Sequence, residues 1–119
     1  MAWKFDDDRS IYVQLIEQIQ MRILTGVYET GSRLPAVRDL AAEAGVNPNT
    51  MQRALSELER TGLVYSQRTS GRFVTEDENV KEELKRKFAR KETVDFCGKM
   101  RRLGFDTEEI IELIKIEGD

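Results

Sequence analysis

Between Asn47 and Arg53 the chain reads Asn-Pro-Asn-Thr-Met-Gln-Arg, and the side chains of Asn49, Thr50, Gln52 and Arg53 are of the types that read nucleic-acid bases. Asparagine and glutamine form paired hydrogen bonds with adenine N6 and N7, arginine does so with guanine O6 and N7, and threonine offers a hydroxyl or a methyl contact. Asn47 suits a helix N-cap, and Pro48 at the first helical position loses no hydrogen bond, so the run opens a helix and exposes these groups on its first two turns. Residues of this kind also cap and solvate ordinary helices. The base-reading interpretation gains its weight from a second cluster downstream, where Arg68 and Arg72 flank a polar loop with Gly71 at its edge. A glycine there lets a hairpin approach the sugar-phosphate backbone or a minor groove. Upstream, Arg38 is placed either to bind a phosphate or base or to pair with a neighbour such as Glu43.

The overall formal charge of −3 opposes nucleic-acid binding, because affinity for DNA comes largely from neutralising phosphates. Its distribution does not. Residues 30–75 carry six arginines against four acidic side chains, whereas residues 76–119 carry ten basic and thirteen acidic ones. The middle of the chain is its cationic part, and arginine forms paired hydrogen bonds to phosphate or guanine. Other chemistries lack their reagents. With one cysteine, Cys97, and no histidine, zinc sites and Cys-His catalysis are excluded; Cys97 reads as a small apolar filler. No phosphate-binding Gly-rich loop and no Gly-x-Ser-x-Gly occurs, so no catalytic residue, metal or cofactor is assigned. No apolar run reaches the roughly 18 residues of a membrane span, and the start Met1-Ala2-Trp3-Lys4-Phe5-Asp6 lacks signal-peptide order, so a cytoplasmic location without membrane association is expected.

The elements that must position these groups follow from periodicity. Ser10 caps a first helix in which Leu15, Ile16, Ile19, Ile23 and Leu24 have helical spacing, ended by Gly26. Val27 to Leu34 reads as a turn and a very short extended piece, and Pro35 as the first residue of helix two, which runs to Ala44 with Val37, Leu40, Ala41 and Ala44 on one face. Gly45-Val46 makes a tight bend to helix three, where Met51, Ala54, Leu55 and Leu58 face the core until Thr61-Gly62. Leu63–Gln67 and Arg72–Thr75 are strands, with Arg68–Gly71 as their loop. A long helix opens at Glu76, with Glu82–Arg86 and Glu83–Lys87 as i,i+4 pairs, and ends at Gly104; Asp106 or Thr107 caps a last one. Helix four aligns Val80, Leu84, Phe88, Phe96, Met100 and Leu103. The last helix carries Ile110, Ile111, Leu113, Ile114 and Ile116, more aliphatic surface than a lone terminal helix buries on itself, so it is expected to pack on helix four, on a second subunit or on both, with a helical homodimer interface as the preferred reading. A dimer presents two heads to half-sites about one helical turn or a multiple apart, and its operator is close to palindromic.

The stretches Ser32-Arg33-Leu34-Pro35-Ala36-Val37-Arg38-Asp39-Leu40-Ala41, Gly45-Val46-Asn47-Pro48-Asn49-Thr50-Met51-Gln52-Arg53-Ala54-Leu55 and Leu58-Glu59-Arg60-Thr61-Gly62-Leu63-Val64 resemble the GntR family of bacterial transcription regulators. The likeness begins at Ile11-Tyr12-Val13-Gln14-Leu15 and ends at Gly71-Arg72-Phe73-Val74. It implies a mainly α fold with a small β-hairpin: a winged helix-turn-helix DNA-binding domain over 8–76 (helix-turn-helix about 36–55, wing about 63–75) and a helical dimerisation region over 77–119. It further implies DNA contacts from Arg38, Asn47, Asn49, Thr50, Gln52, Arg53, Arg68, Gly71 and Arg72. Dimer contacts are expected from Leu84, Phe88, Phe96, Met100, Leu103, Phe105, Ile110, Ile111 and Ile114. The short region after the wing, with Leu103-Gly104-Phe105 and Glu108-Glu109-Ile110-Ile111, is similar to the YtrA subfamily, whose members commonly repress their own operon, often together with transporter genes, until a small molecule or envelope stress releases them. An unidentified small-molecule effector would sit near Phe88, Phe96 and Met100. The alternative left open is a winged-helix module that binds protein and has no sequence-specific affinity for DNA.

Overall fold

Ser10 opens α1 (Ile11–Leu24) by accepting the Val13 amide on its Oγ at 3.4 Å. In the computed structural model, which describes residues 2–119, the order that follows is α2 (Val37–Ala44), α3 (Pro48–Arg60), β1 (Val64–Gln67), β2 (Gly71–Val74), α4 (Glu78–Arg102) and α5 (Thr107–Glu117). The chain divides into two compact units, one extending to Lys81 and one from Glu82 to Asp119.

The core of the first unit joins the apolar faces anticipated from periodicity. Leu15, Ile19 and Ile23 of α1, Leu40, Ala41 and Ala44 of α2, and Met51, Ala54, Leu55 and Leu58 of α3 are buried, with Leu63, Val64 and Val74 of the wing. α3 is the central element, packed by both α1 and α2 and followed directly by β1. Burial of each large aliphatic side chain contributes roughly 1.5–3 kcal/mol. The bend between α2 and α3 is held as its composition requires: Gly45 takes the left-handed conformation at φ 69°, and the Val46 amide donates to the Ala41 carbonyl at 3.0 Å. Asn47 then caps α3 through its side chain, 2.7 Å from the Asn49 amide, with Pro48 as the first helical residue.

Pro35 is not the first residue of α2. Ala36 occupies the N-cap in an extended conformation and the helix starts at Val37. The cause lies upstream, where the short extended piece is drawn onto the hairpin: Val74 donates to the Ser32 carbonyl at 2.9 Å, Leu34 donates to the Arg72 carbonyl at 2.8 Å, and Arg33 bridges Phe73 antiparallel. Pairing keeps the backbone extended through Leu34, the conformation that a following proline also favours. β1 and β2 pair antiparallel from Val64↔Val74 to Gln67↔Gly71, so Gly71 opens β2 instead of ending the loop.

An N-terminal arm runs along α1. Lys4 donates from its amide to Gln18 Oε1 at 3.3 Å and accepts the Gln18 side chain on its carbonyl at 2.5 Å, while Asp6 exchanges the same two bonds with Gln14 at 2.7 and 2.9 Å. The Arg22 guanidinium lies 3.5 Å from the centre of the Trp3 ring. Gln14, Gln18 and Arg22 recur every fourth residue, so one stripe of α1 clasps the arm. That clasp explains why Gln14 and Arg22 are buried polar residues on an otherwise apolar helix.

α4 starts at Glu78, two residues later than Glu76, because the Thr75 amide still donates to the Leu63 carbonyl and the Asp77 side chain then accepts the Asn79 amide at 2.9 Å. It is continuous through Gly98. Within the second unit, Glu82 and Arg86 pair at 3.3 Å, whereas Glu83 and Lys87 form no ion pair among the described residues. Asp106, not Thr107, caps α5 in a reciprocal box with Glu109, at 2.9 and 3.0 Å. No helix among the described residues is long and apolar enough to cross a membrane.

Candidate nucleic-acid interface

The buried row of α3 determines which of its side chains reach solvent. Opposite Met51, Ala54, Leu55 and Leu58 stand Asn49, Gln52, Arg53 and Ser56, exposed at i, i+3, i+4 and i+7. Three of the five residues singled out on this helix thus form one continuous stripe. The other two are placed differently: Asn47 is exposed but its side-chain oxygen is committed to the cap, and Thr50 is half-buried at the margin. Gln52 Nε2 reaches Ser56 Oγ at 3.4 Å, one turn along the same stripe.

Arg53 is held from outside its own helix. Its guanidinium lies 4.5 Å from the centre of the Tyr12 ring, on the first turn of α1. A guanidinium over a ring face is attracted by the ring's quadrupole, which limits where the side chain can point. Tyr12 was not among the residues assigned to the site from sequence. Nothing in its spacing pairs it with Arg53, which lies some forty positions away in the chain.

Arg38, the second residue of α2, is exposed and makes no hydrogen bond or ion pair among the described residues. Arg68 is likewise exposed and unpaired in the turn of the wing, which the Ser70 amide closes onto the Gln67 carbonyl at 3.1 Å. Arg72 is different. It is half-buried and donates from Nε to Glu59 Oε1, an oxygen that also accepts the Ser66 hydroxyl at 2.6 Å. Burial raises the Glu59 carboxyl, but the bonds from Ser66 and Arg72 outweigh it and hold the group below the usual carboxylate range. Arg72 therefore ties the wing to α3. Gly71 has φ +102°, and a Cβ built on it would meet Arg33 Nε at 2.9 Å, so the Arg33 side chain lies across this glycine. Arg33 belongs to the cationic stretch, where nothing in the sequence sets it apart from the other arginines.

At the far end of α3, Arg60 makes two hydrogen bonds to Glu57, at 2.8 and 2.6 Å, and this pairing lowers the Glu57 pKa and raises that of Arg60. Among the described residues no group of cysteine, aspartate and glutamate side chains is arranged to hold a metal ion.

The residues expected at a dimer interface fall into three classes of exposure. Ile110 is covered within the chain, at 2% exposure; Leu84, Phe88, Met100 and Phe105 are half-buried; Phe96, Leu103, Ile111 and Ile114 are exposed. The exposed members include Leu103 at 73% and Ile114 at 52%.

The family described as bacterial regulatory proteins, gntR family, matches residues 11–74, the segment from the start of α1 to the end of the wing. The uncharacterised HTH-type transcriptional regulator YhcF of Bacillus subtilis is 39% identical over 112 residues, covering 94% of this chain and 93% of that protein. The HTH-type transcriptional repressor YtrA of the same organism is 40% identical over 67 residues, 56% of this chain and 52% of the relative. Among solved structures, a GntR family transcriptional regulator from Listeria monocytogenes superposes with a TM-score of 0.84 at 42% identity, over 93% of this chain and 97% of that one. The capped α3 with its polar stripe, the hairpin beside it and the agreement over nearly the whole length have one account: this chain belongs to the gntR family of bacterial regulatory proteins, among members similar to YtrA.

Proposed function

We propose that the chain is a homodimeric, sequence-specific DNA-binding repressor that acts in the cytoplasm. α3 enters the major groove of a near-palindromic operator, and binding blocks access to the promoter of its own operon. The observation that carries this reading is the exposed stripe Asn49, Gln52, Arg53 and Ser56 on a helix whose N-terminus is capped and whose opposite face is fully buried. A helix so anchored presents base-reading side chains at fixed positions. The exposed Phe96, Leu103, Ile111 and Ile114 support self-association of the C-terminal unit, because apolar side chains collected on so short a segment gain from removal from water. Repression agrees with the name that YtrA carries. A small-molecule effector that releases the DNA is assigned to the neighbourhood of Phe88, Phe96 and Met100.

Fluorescence anisotropy of the purified protein with duplex from its own promoter region, against scrambled duplex across a salt series, tests the reading. Tighter binding to the promoter, a steep salt slope and a loss of about 1–3 kcal/mol for Arg53→Ala are expected. Equal affinity for both duplexes in wild type would overturn it.

A further inference from the structure

The wing has two faces, and Arg33 and Arg72 lie on opposite ones. In the register of β1 and β2, Val64↔Val74 and Ser66↔Arg72 share one face, and Tyr65↔Phe73 and Gln67↔Gly71 share the other. Val64 and Val74 are buried and Arg72 reaches Glu59 of α3, so the first face is turned inward. On the second face the Tyr65 and Phe73 rings stack at 5.7 Å, Tyr65 and Gln67 are exposed, and Arg33 joins this row through its bridge to Phe73. From Phe73 the Arg33 side chain extends toward the turn, its guanidinium atoms lying 2.9–3.6 Å from where a Cβ of Gly71 would stand.

We propose that Arg33, and not Arg72, is the arginine that pairs with a DNA phosphate at the base of the wing, an inference that rests on the DNA-binding reading above. Three observations converge on it. Arg33 is exposed and has no hydrogen bond or ion pair among the described residues, whereas the charge of Arg72 is already matched by Glu59. Its backbone is fixed where most exposed arginines are mobile, since Val74 donates to the Ser32 carbonyl and Leu34 to the Arg72 carbonyl on either side of it. The missing side chain at Gly71 leaves room for the Nε–Nη2 edge of the guanidinium, and Arg33 is exposed, as Arg68 of the turn is. An unpaired guanidinium on a rigid edge is suited to a diester oxygen. Such contacts fix position and add affinity without reading sequence. A short strand preceding the helix-turn-helix thereby becomes part of the DNA surface.

The test compares wild type, Arg33→Ala, Arg33→Lys and Arg72→Ala by fluorescence anisotropy on promoter duplex and scrambled duplex over a potassium chloride series, with circular dichroism to confirm folding. Arg33→Ala is expected to weaken binding to both duplexes by a similar factor, about fivefold to tenfold, and to lower the slope of log affinity against log salt by about one. Arg33→Lys retains the slope, and folded Arg72→Ala keeps the wild-type slope whatever it does to thermal stability. A wild-type slope in Arg33→Ala, or a slope lost in Arg72→Ala instead, would overturn the assignment. So would a loss confined to the promoter duplex, since that marks a base contact. Failure of the wild-type protein to prefer its promoter would instead overturn the reading on which the assignment rests.

Discussion

Removal of the Tyr12 ring should weaken promoter binding only while Arg53 is present. The guanidinium of Arg53 sits 4.5 Å above a half-buried ring, between the exposed limit of about 0.5–1 kcal/mol and the desolvated limit of about 2 kcal/mol for such contacts. About 1 kcal/mol of orientation is therefore lost in Tyr12→Ala, which corresponds to roughly a fivefold weaker complex. Tyr12→Phe keeps the ring face and should bind within about twofold of wild type. Arg53→Ala removes the proposed base contact itself and should cost about 1–3 kcal/mol. In the Arg53→Ala background, Tyr12→Ala should then change affinity by less than about twofold, a coupling that a general loss of packing cannot produce. The assay is anisotropy of the four proteins with promoter duplex at one salt concentration, each checked for folding by circular dichroism. If Tyr12→Ala costs as much without Arg53 as with it, or if Tyr12→Phe is as damaging as Tyr12→Ala, the ring does not orient the arginine.

Three further outcomes follow from the geometry. Gly45 has φ 69° with open space around a built Cβ, so Gly45→Ala meets only backbone strain and should lower stability by about 1–2 kcal/mol, read as a fall in Tm with the wing and α3 otherwise intact. Glu59 is held below the ordinary carboxylate range in the folded state, so its contribution is present above the unfolded value near pH ~4.3 and is lost as pH falls through the folded one. Thermal melts of Glu59→Gln should consequently show less destabilisation between about pH 5 and pH 3 than wild type, and an unchanged pH profile would count against the Glu59–Arg72 pair as its source. On α5, Ile114→Glu places a charge on an exposed apolar position and should shift the proposed dimer to monomer in analytical ultracentrifugation while leaving each chain folded; a dimer of undiminished strength would remove Ile114 from the proposed interface.

Much of the architecture is legible along the chain because its causes are local. The Asn47 cap with Pro48, the Gly45 bend and the buried row from Met51 to Leu58 each depend on residues within a few positions of one another, and each forms. The same locality made the exposed polar face of α3 recognisable. It does not extend to the partners of the charged side chains. Arg33, Arg68 and Arg72 look alike in sequence, and only the antiparallel register of the wing separates them, turning Arg72 inward onto Glu59 and leaving Arg33 outside across Gly71. The packing of α1 on α3 likewise brings Tyr12 beneath Arg53, and the stripe Gln14, Gln18, Arg22 becomes meaningful only once the arm from Trp3 to Asp6 lies on it. Sequence alone determined which segments are helices and strands and which faces are apolar, because backbone hydrogen bonding and side-chain periodicity are short-range. Tertiary structure alone decided which cations are free, because an arginine's charge is matched or left unmatched by whatever the fold brings within a few ångströms of it.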